Sequence, residues 1–252
     1  MIRKILCGGF SICLGIFLLH ILWKAPSNIS PESRSVIEQE LSILTLEEKE
    51  NMEALFAHFF FFDAFSYPLF GSKPMSIGLL LDQFQKGWTA WIKIAHLFHS
   101  EKFVIADYIF NDNRFVLIAN LDLVEKVYFE NKAIFDQTFE GRMTMKDLKL
   151  CLKERNALFQ ELMRNDLILG ILLGYGTRNA QVFAAQEPMK PFTSVHPVFY
   201  YFSKILPPYF ACDPQSEETI ELKRRYKQEW ATIVKMSERD PLFLQMLVLL
   251  KE

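Results

Sequence analysis

Apolar residues recur every three or four positions along most of the chain, as they do on one face of an α-helix. The segment after Thr45 shows this spacing clearly, and Thr45 and Glu48 have the spacing of a capping box. In a capping box the threonine hydroxyl accepts a hydrogen bond from a free amide of the first turn, and the glutamate reaches back to the cap. One face of the segment is apolar, through Met52, Leu55, Phe56 and Phe59. We therefore predict a helix that begins after Thr45 and carries its phenylalanines into a core.

Further segments show helical periodicity or the signals of helix ends. Residues 76–98 are predicted to form one long helix, because Trp88, Trp91 and other apolar residues share one stripe. Residues 187–214 are rich in proline and aromatic residues, so we predict loops there, with one short helix over residues 198–204. The remaining predicted helices are residues 32–43, 121–135, 145–164 and 216–236, followed by a C-terminal helix that starts at Asp240-Pro241.

One region has the period of a β-strand instead. "KFVIADYIF" and "RFVLIAN" are rich in β-branched and aromatic residues, and the turn-forming sequence Asn111-Asp112-Asn113 joins them. This pattern predicts a β-hairpin near residues 103–120, in which residues 103–110 pair with residues 114–120. The predicted fold class is therefore α+β and mainly α, a helical domain with one hairpin.

The start of the chain has the pattern of a membrane segment. Arg3 and Lys4 precede an apolar run over residues 5–23, whose length as a helix comes close to the roughly 30 Å of bilayer hydrocarbon. Trp23 would then lie at the membrane interface, where its amphipathic ring is favoured. We predict a transmembrane helix over residues 1–24 that acts as a signal anchor. A cleaved signal peptide is the alternative, although a cleavage site flanked by small residues is hard to find.

The distribution of positive charge predicts an orientation. Arg3, Lys4 and the N-terminal amine outweigh Lys24 and Arg34, which places the N-terminus in the cytoplasm and the body outside it. The predicted protein is therefore a single-pass membrane protein, and cleavage would instead leave it secreted or periplasmic. Residues 25–44 would form a tether and a polar helix. Residues 45–252 would form a single domain.

Composition excludes some classes of protein. The chain has 252 residues, of which half are apolar, so most of it has enough apolar surface to fold. Its net charge of -2 gives no field that would attract nucleic acid, and we predict no nucleic-acid partner. Two of the four cysteines lie in the predicted anchor. The other two, Cys151 and Cys212, pair only if the compartment is oxidising and the geometry allows it.

Motifs that carry specific chemistry are absent from the sequence. It contains no P-loop, no His-Glu-x-x-His, no Cys-x-x-Cys and no Gly-x-Ser-x-Gly. His96 and His99 are one helical turn apart, but a zinc site needs three or four convergent ligands. The sequence therefore predicts no catalytic residue, no metal and no cofactor.

A glycine-rich turn is the first candidate for a binding site. If one helix ends at Gly174 and another begins near Thr177, the new helix presents free backbone amides beyond Gly176. Arg178 would add a positive charge beside them, and Asn179 follows. This arrangement suits a phosphate or carboxylate ligand. The structural alternative is a tight turn between helices in which the glycines adopt positive φ and the threonine caps.

The loop over residues 65–74 is the second candidate. Its sequence, "FSYPLFGSKP", contains residues that do not continue a helix comfortably, and loops on rigid scaffolds often carry recognition. We predict that Tyr67 is buried and that Lys73 forms a charged tip available to a partner. The alternative is an aromatic plug that closes one end of the core.

These two segments also carry a resemblance. "YPLFGSKP", followed about a hundred residues later by "LGILLGYGTRNA", is similar to a pair of segments in a protein family without assigned activity from chlamydia-like and related intracellular bacteria. The likeness covers residues 55–183. It implies a bacterial envelope or secreted setting and transfers no catalytic residue.

The sequence as a whole favours a membrane-anchored binding or interaction module outside the cytoplasm. Besides the membrane, which residues 5–23 would contact, its partner would be a protein or a small anionic ligand. The 65–74 loop and the Gly-Tyr-Gly turn would form one pocket if the fold brings them together. The alternative is a hydrolase or transferase acting on an anionic small substrate, with Arg178 holding the anion and Lys73 or His58 assisting. Convergence of these three side chains on one cleft would favour the enzyme, and dispersal would favour the module.

Overall fold

A small antiparallel sheet lies between two groups of helices in the computed structural model, which describes residues 29–186, 190–191 and 205–251. The three strands are β1 (Met75–Leu79), β2 (Phe103–Phe110) and β3 (Asn113–Asn120). They are ordered β1-β3-β2, and two short strands, β4 (Lys190–Pro191) and β5 (Ala211–Cys212), pair separately. The helices are α1 (Pro31–Leu41), α2 (Leu46–Phe62), α3 (Ser66–Phe70), α4 (Gln85–Ile94), α5 (Leu121–Glu130), α6 (Lys132–Thr138), α7 (Met145–Glu154), α8 (Ala157–Met163), α9 (Asp166–Leu172), α10 (Thr177–Ala184), α11 (Glu217–Ser237) and α12 (Leu242–Lys251).

The central strand β3 is buried on both faces. Val116 and Ile118 face a core built from α1 to α4, α11 and α12, whereas Leu117 and Ala119 face a second core built from α5 to α10. Successive side chains of a strand point to opposite faces, so the unbroken apolar run of β3 serves both cores. The sheet therefore lies between two hydrophobic cores and contributes side chains to both.

The mainly helical α+β class is confirmed, and so is the hairpin. Phe103 pairs with Asn120 and Phe110 with Asn113, which gives the predicted strands almost residue for residue. The capping box at Thr45 is also present, because its side chain accepts from the Glu48 amide at 3.2 Å. These features depend on residues that are near one another in the sequence.

The predicted long helix over residues 76–98 is wrong in its first half. Residues 75–79 form β1, which pairs with β3 from Met75 opposite Ala119 to Leu79 opposite Phe115. A helical stripe is present only in α4, where Trp88 and Trp91 are buried as expected. Pairing with a strand about forty residues away overrides the local periodicity.

Two other predicted helices are divided. The helix over residues 121–135 breaks at Asn131, and the helix over residues 145–164 breaks at Arg155, which has a left-handed φ of 54°. Cys151 and Cys212 are free thiols, each buried in a different core. The short helix predicted over residues 198–204 lies outside the described residues.

The membrane prediction does not agree with the structure. In the part of the chain that the structure describes, no helix combines the length and apolar character that crossing a bilayer requires. This finding contradicts the predicted single-pass membrane location, with its transmembrane helix and signal anchor. The span assigned to the membrane, residues 5–23, itself lies outside the described residues.

Close packing of α2 against α4 depends on Gly87. A Cβ atom at this position would lie 2.3 Å from the backbone oxygen of Asn51 in α2. We expect Gly87→Ala to lower the free energy of unfolding by about 1–3 kcal/mol, because backbone must move to make room. Urea unfolding measures this change. Thr89→Ala, an exposed position on the same helix, is the matched control and should change stability by less than about 0.5 kcal/mol; equal losses in the two variants would contradict the close approach.

Candidate functional site

The Gly-Tyr-Gly turn lies where the sequence predicts it, between α9 and α10. Gly174 has a φ of 73° and Gly176 a φ of 89°, values that L side chains rarely adopt. Space is restricted as well, because a Cβ at Gly176 would lie 2.4 Å from the Glu218 carboxyl carbon. Both glycines are therefore required by the turn and by what packs against it.

The backbone amides at the start of α10 already bind an anionic group of the protein itself. The amides of Arg178 and Asn179 donate to the two carboxylate oxygens of Glu218 at 3.3 and 3.2 Å. Gly176 at the cap position has no side chain to do this, so a residue of α11 takes the role. An external phosphate or carboxylate would have to displace this internal carboxylate, and the predicted ligand binding at the turn stays a prediction.

The side chains of Thr177 and Arg178 also have protein partners. Thr177 donates through its hydroxyl to the Asn131 amide oxygen at 2.5 Å. The Arg178 guanidinium pairs with Asp213 at 3.4 Å and remains exposed to solvent. Arg178 therefore lies at the surface beside α10 and holds a carboxylate of the chain itself.

Asn179 is buried and connects three segments. Its side-chain nitrogen donates to the Tyr175 carbonyl at 2.9 Å and lies 3.0 Å from the Thr219 hydroxyl. Its side-chain oxygen accepts from the Asp213 amide at 3.0 Å. The hydrogen-bonding capacity of this amide is used to hold the turn, α11 and the preceding loop together.

The fold brings the two predicted segments into contact. Tyr67, in α3, is fully buried as predicted, and its ring meets that of Tyr226 edge-on with centroids 5.8 Å apart. The Tyr226 hydroxyl donates to the Gly174 carbonyl at 2.6 Å. The predicted loop over residues 65–74 is thus partly helical, since Ser66–Phe70 forms α3, and Tyr226 of α11 links this helix to the Gly-Tyr-Gly turn.

Lys73 is not the charged tip that the sequence predicts. Only 4% of it is exposed, and its Nζ donates to the Ser76 hydroxyl at 3.0 Å. That hydroxyl in turn donates to the Ala64 carbonyl at 2.9 Å. Because residues 75–79 enter the sheet as a strand rather than a helix, the preceding lysine is carried inward.

The Gly-Tyr-Gly turn covers the buried lysine. A Cβ at Gly174 would lie 3.1 Å from the Lys73 Cγ, and the Lys73 Nζ lies 5.7 Å from the centre of the Tyr175 ring. We call the group formed by Lys73, Ser76, Asp63, Tyr175 and the Ala64 carbonyl the Lys73 junction. It joins the end of α2, the start of β1 and the turn before α10.

Asp63 supplies the negative charge of the junction. It follows the last residue of α2, and its Oδ2 is buried over Gly78, where a Cβ would come within 2.6 Å of that oxygen. The same Oδ2 lies 3.6 Å from the His58 Nε2. His58 therefore lies beside Asp63, and the charge of Asp63 acts on Lys73. Arg178 pairs with Asp213 instead, so the three proposed catalytic side chains do not share one cluster.

Burial shifts the protonation of this group strongly. It lowers the pKa of Lys73 to about 7, and the Asp63 carboxylate offsets part of the effect. Burial likewise raises the pKa of Asp63 to about 6, with Lys73 acting in the opposite direction. Burial also lowers the pKa of His58. The Lys73 junction thus changes its protonation near neutral pH.

An apolar groove lies on the other side of Tyr175. Its volume is about 340 Å³, and the Tyr175 ring stacks on Phe210 with centroids 4.4 Å apart and planes inclined by 18°. Phe183 is 52% exposed on this surface. We call this surface the Tyr175 groove, and it is lined by Asp166, Leu169, Gly170, Leu173, Tyr175, Asn179, Ala180, Phe183, Phe210 and Ala211.

A second groove, of about 420 Å³, lies between the start of α2 and α4. Its lining is polar, and it includes Glu47, Glu48 and Lys86. Glu47 pairs with Lys86 at 3.1 Å, and Glu48 pairs with Lys93. Its charged groups are therefore satisfied within the protein, and neither Lys73 nor His58 lines either groove.

Sequence reasoning identified Tyr67, Lys73 and the glycine turn, but it missed the groups that surround them. Asp63 could have been noticed in the sequence, because its carboxylate directly follows a run of four phenylalanines. Ser76 was hidden inside a predicted helix, and Tyr226 and Glu218 lie about forty residues or more beyond the turn that they contact. Comparison of this chain with protein-family models, curated proteins and solved structures finds no match. The resemblance to a protein family from chlamydia-like and related intracellular bacteria stays a prediction.

The shifted pKa of Lys73 predicts how stability depends on pH. The amine has its ordinary pKa of 10.5 in the unfolded chain but a pKa of about 7 in the fold. Between pH 7.5 and 9.5 the unfolded chain therefore binds one more proton at this residue, so the free energy of unfolding should rise with pH, by at most about 1.4 kcal/mol per unit. Urea unfolding across this range should show the rise in the native chain and a smaller slope in Lys73→Met.

Lys102→Met is the matched control for this measurement. Lys102 also lies over an aromatic ring, 5.4 Å from the centre of Phe103, but its side chain is 53% exposed. This variant should keep the slope of the native chain. Equal slopes in the native chain and Lys73→Met would contradict a neutral buried amine above pH 7.5.

Proposed function

We propose that this protein is a binding module that holds an apolar segment of a protein partner in the Tyr175 groove. The observation that carries the proposal is the lining of this groove, which combines apolar walls with an exposed phenylalanine. Ligand sites are typically concave and mostly apolar, with a few polar groups that set orientation. The volume of about 340 Å³ suits one large aromatic side chain or two aliphatic ones.

The polar groups of the groove indicate the chemistry of the segment. Asp166 is exposed at the start of α9, in the lining of the groove. Asn179 makes its hydrogen bonds within the protein, and among the described residues that line the groove Asp166 carries the charged side chain. The segment should therefore carry an aromatic or large aliphatic residue close to a lysine or arginine.

A small anionic ligand is less well supported than an apolar segment. The amides at the start of α10 bind Glu218, and Arg178 pairs with Asp213. The alternative of a hydrolase or transferase acting on an anionic substrate depends on the same arginine. The Lys73 amine and the Ser76 hydroxyl, which lie 3.0 Å apart, are both buried by the described part of the chain, and neither lines one of the two grooves. Both arguments favour the binding module.

Selection of random displayed peptides against the purified protein tests the proposal. The selected peptides should share an aromatic or large aliphatic residue with a nearby basic residue, and Phe183→Asp should weaken their binding by about tenfold or more. The weakening follows from placing a carboxylate on the apolar wall of the groove. Fluorescence anisotropy of labelled peptides gives the dissociation constants.

The matched control is Phe129→Asp. Phe129 is 57% exposed, close to the 52% of Phe183, and it does not line the groove. Peptide binding should be unchanged in this variant. Equal binding to both variants would refute the groove as the docking site, and selection of mainly acidic peptides would favour an anion site instead.

A further inference from the structure

We propose that binding in the Tyr175 groove is linked to the protonation of Lys73, so that the groove holds its partner more tightly when this lysine is charged. The inference rests on the proposed function and adds a form of regulation to the same site. Tyr175 is the physical link, because it contacts the Lys73 junction and lines the groove.

One aromatic ring, that of Tyr175, lies near the amine and also lines the groove. The Lys73 Nζ lies 5.7 Å from the centre of the Tyr175 ring, and the same ring stacks on Phe210 at 4.4 Å. A cation near an aromatic face is attracted by the negative charge density of the ring, and the attraction is strongest where water is excluded. A neutral amine loses this attraction.

The backbone beside the ring is held tightly enough to transmit the change. A Cβ at Gly174 would lie 3.1 Å from the Lys73 Cγ, and the Gly174 carbonyl accepts a hydrogen bond from Tyr226. Tyr175 is followed by Gly176, which has a positive φ. Asn179 binds the Tyr175 carbonyl from the first turn of α10. A change in how the ring is held therefore reaches the turn and the first residues of α10, which form one side of the groove.

Several titratable or charged groups surround the lysine. Asp63 faces it from the end of α2, and its carboxylate favours the charged amine. Tyr175 lies on the turn, and burial raises the pKa of its hydroxyl to about 12, so it stays neutral. Tyr226 of α11 reaches the same turn, with Tyr67 of α3 and the charged Arg225 and Glu229 beside it, and His58 of α2 lies beside Asp63. The pKa of Asp63 is about 6 and that of Lys73 about 7, and burial lowers the pKa of His58.

Burial of the amine sets the pH range of the effect. Lys73 has one neutral hydrogen-bond partner, Ser76, and little solvent exposure, so its proton is lost near pH 7 rather than above pH 10. The amine is then mostly charged at pH 6 and mostly neutral at pH 8. Because the charged amine holds the Tyr175 ring in place before a peptide binds, less ordering is needed on binding, and we expect peptide binding to be about threefold tighter at pH 6 than at pH 8.

Amide hydrogen exchange measured together with peptide binding tests the linkage. After correction for the intrinsic pH dependence of exchange, amides over residues 174–180 of the native chain should be better protected at pH 6 than at pH 8. The dissociation constants of selected peptides should change in parallel. Lys73→Met should show neither change, whereas Lys102→Met should behave as the native chain does.

A second variant tests the linkage even if Lys73→Met does not fold correctly. Asp63→Asn removes the carboxylate that favours the charged amine, so the midpoint of the protection change should move to lower pH. The linkage would be overturned if amide protection in the native chain did not depend on pH, or if the midpoint of its pH dependence were the same in Asp63→Asn. A pH-dependent change in protection without any peptide binding would instead refute the proposed function and leave the link between Lys73 and the turn in place.

Discussion

The burial of strand β3 on both faces is the constraint on which the rest of the structure depends. Val116 and Ile118 need cover on one side, and Leu117 and Ala119 need it on the other, so helices must pack against both faces of a sheet of only three strands. The two groups of helices meet where Tyr226 of α11 donates to the Gly174 carbonyl in the turn before α10. The Lys73 junction lies there, between the end of α2 and the turn before α10.

At this meeting point polar groups hold neighbouring segments together, as apolar side chains do elsewhere in the cores. The Lys73 amine, the Ser76 hydroxyl and the Ala64 carbonyl form a chain of hydrogen bonds that fixes how the loop before β1 runs under the turn. Burying an amine and a carboxylate costs stability, since both lose water. In return, the polar partners specify one arrangement of the segments, and they place a titratable group behind an aromatic wall of the groove.

Local signals predicted the parts of this fold that local interactions determine. The capping box at Thr45 and the hairpin around residues 103–120 depend on neighbours in the sequence, and both are present. Strand β1 was missed because its partner β3 lies about forty residues away and the alternating pattern of "MSIGL" is short. At the candidate site the sequence predicts the glycine turn, and it singles out Lys73 but as an exposed tip rather than a buried amine. It did not give the burial of Lys73 or the role of Glu218, because both depend on contacts between distant segments.

The carboxylate of Glu218 connects the two hydrophobic cores. The first turn of α10 belongs to the second core, but the group that satisfies its amides comes from α11 of the first. A fragment that stopped before α11 would leave those amides without their anion and would expose the face of Tyr67 that Tyr226 covers. The two cores therefore share this contact, and exchange of one group of helices would have to supply another acceptor for the amides of α10.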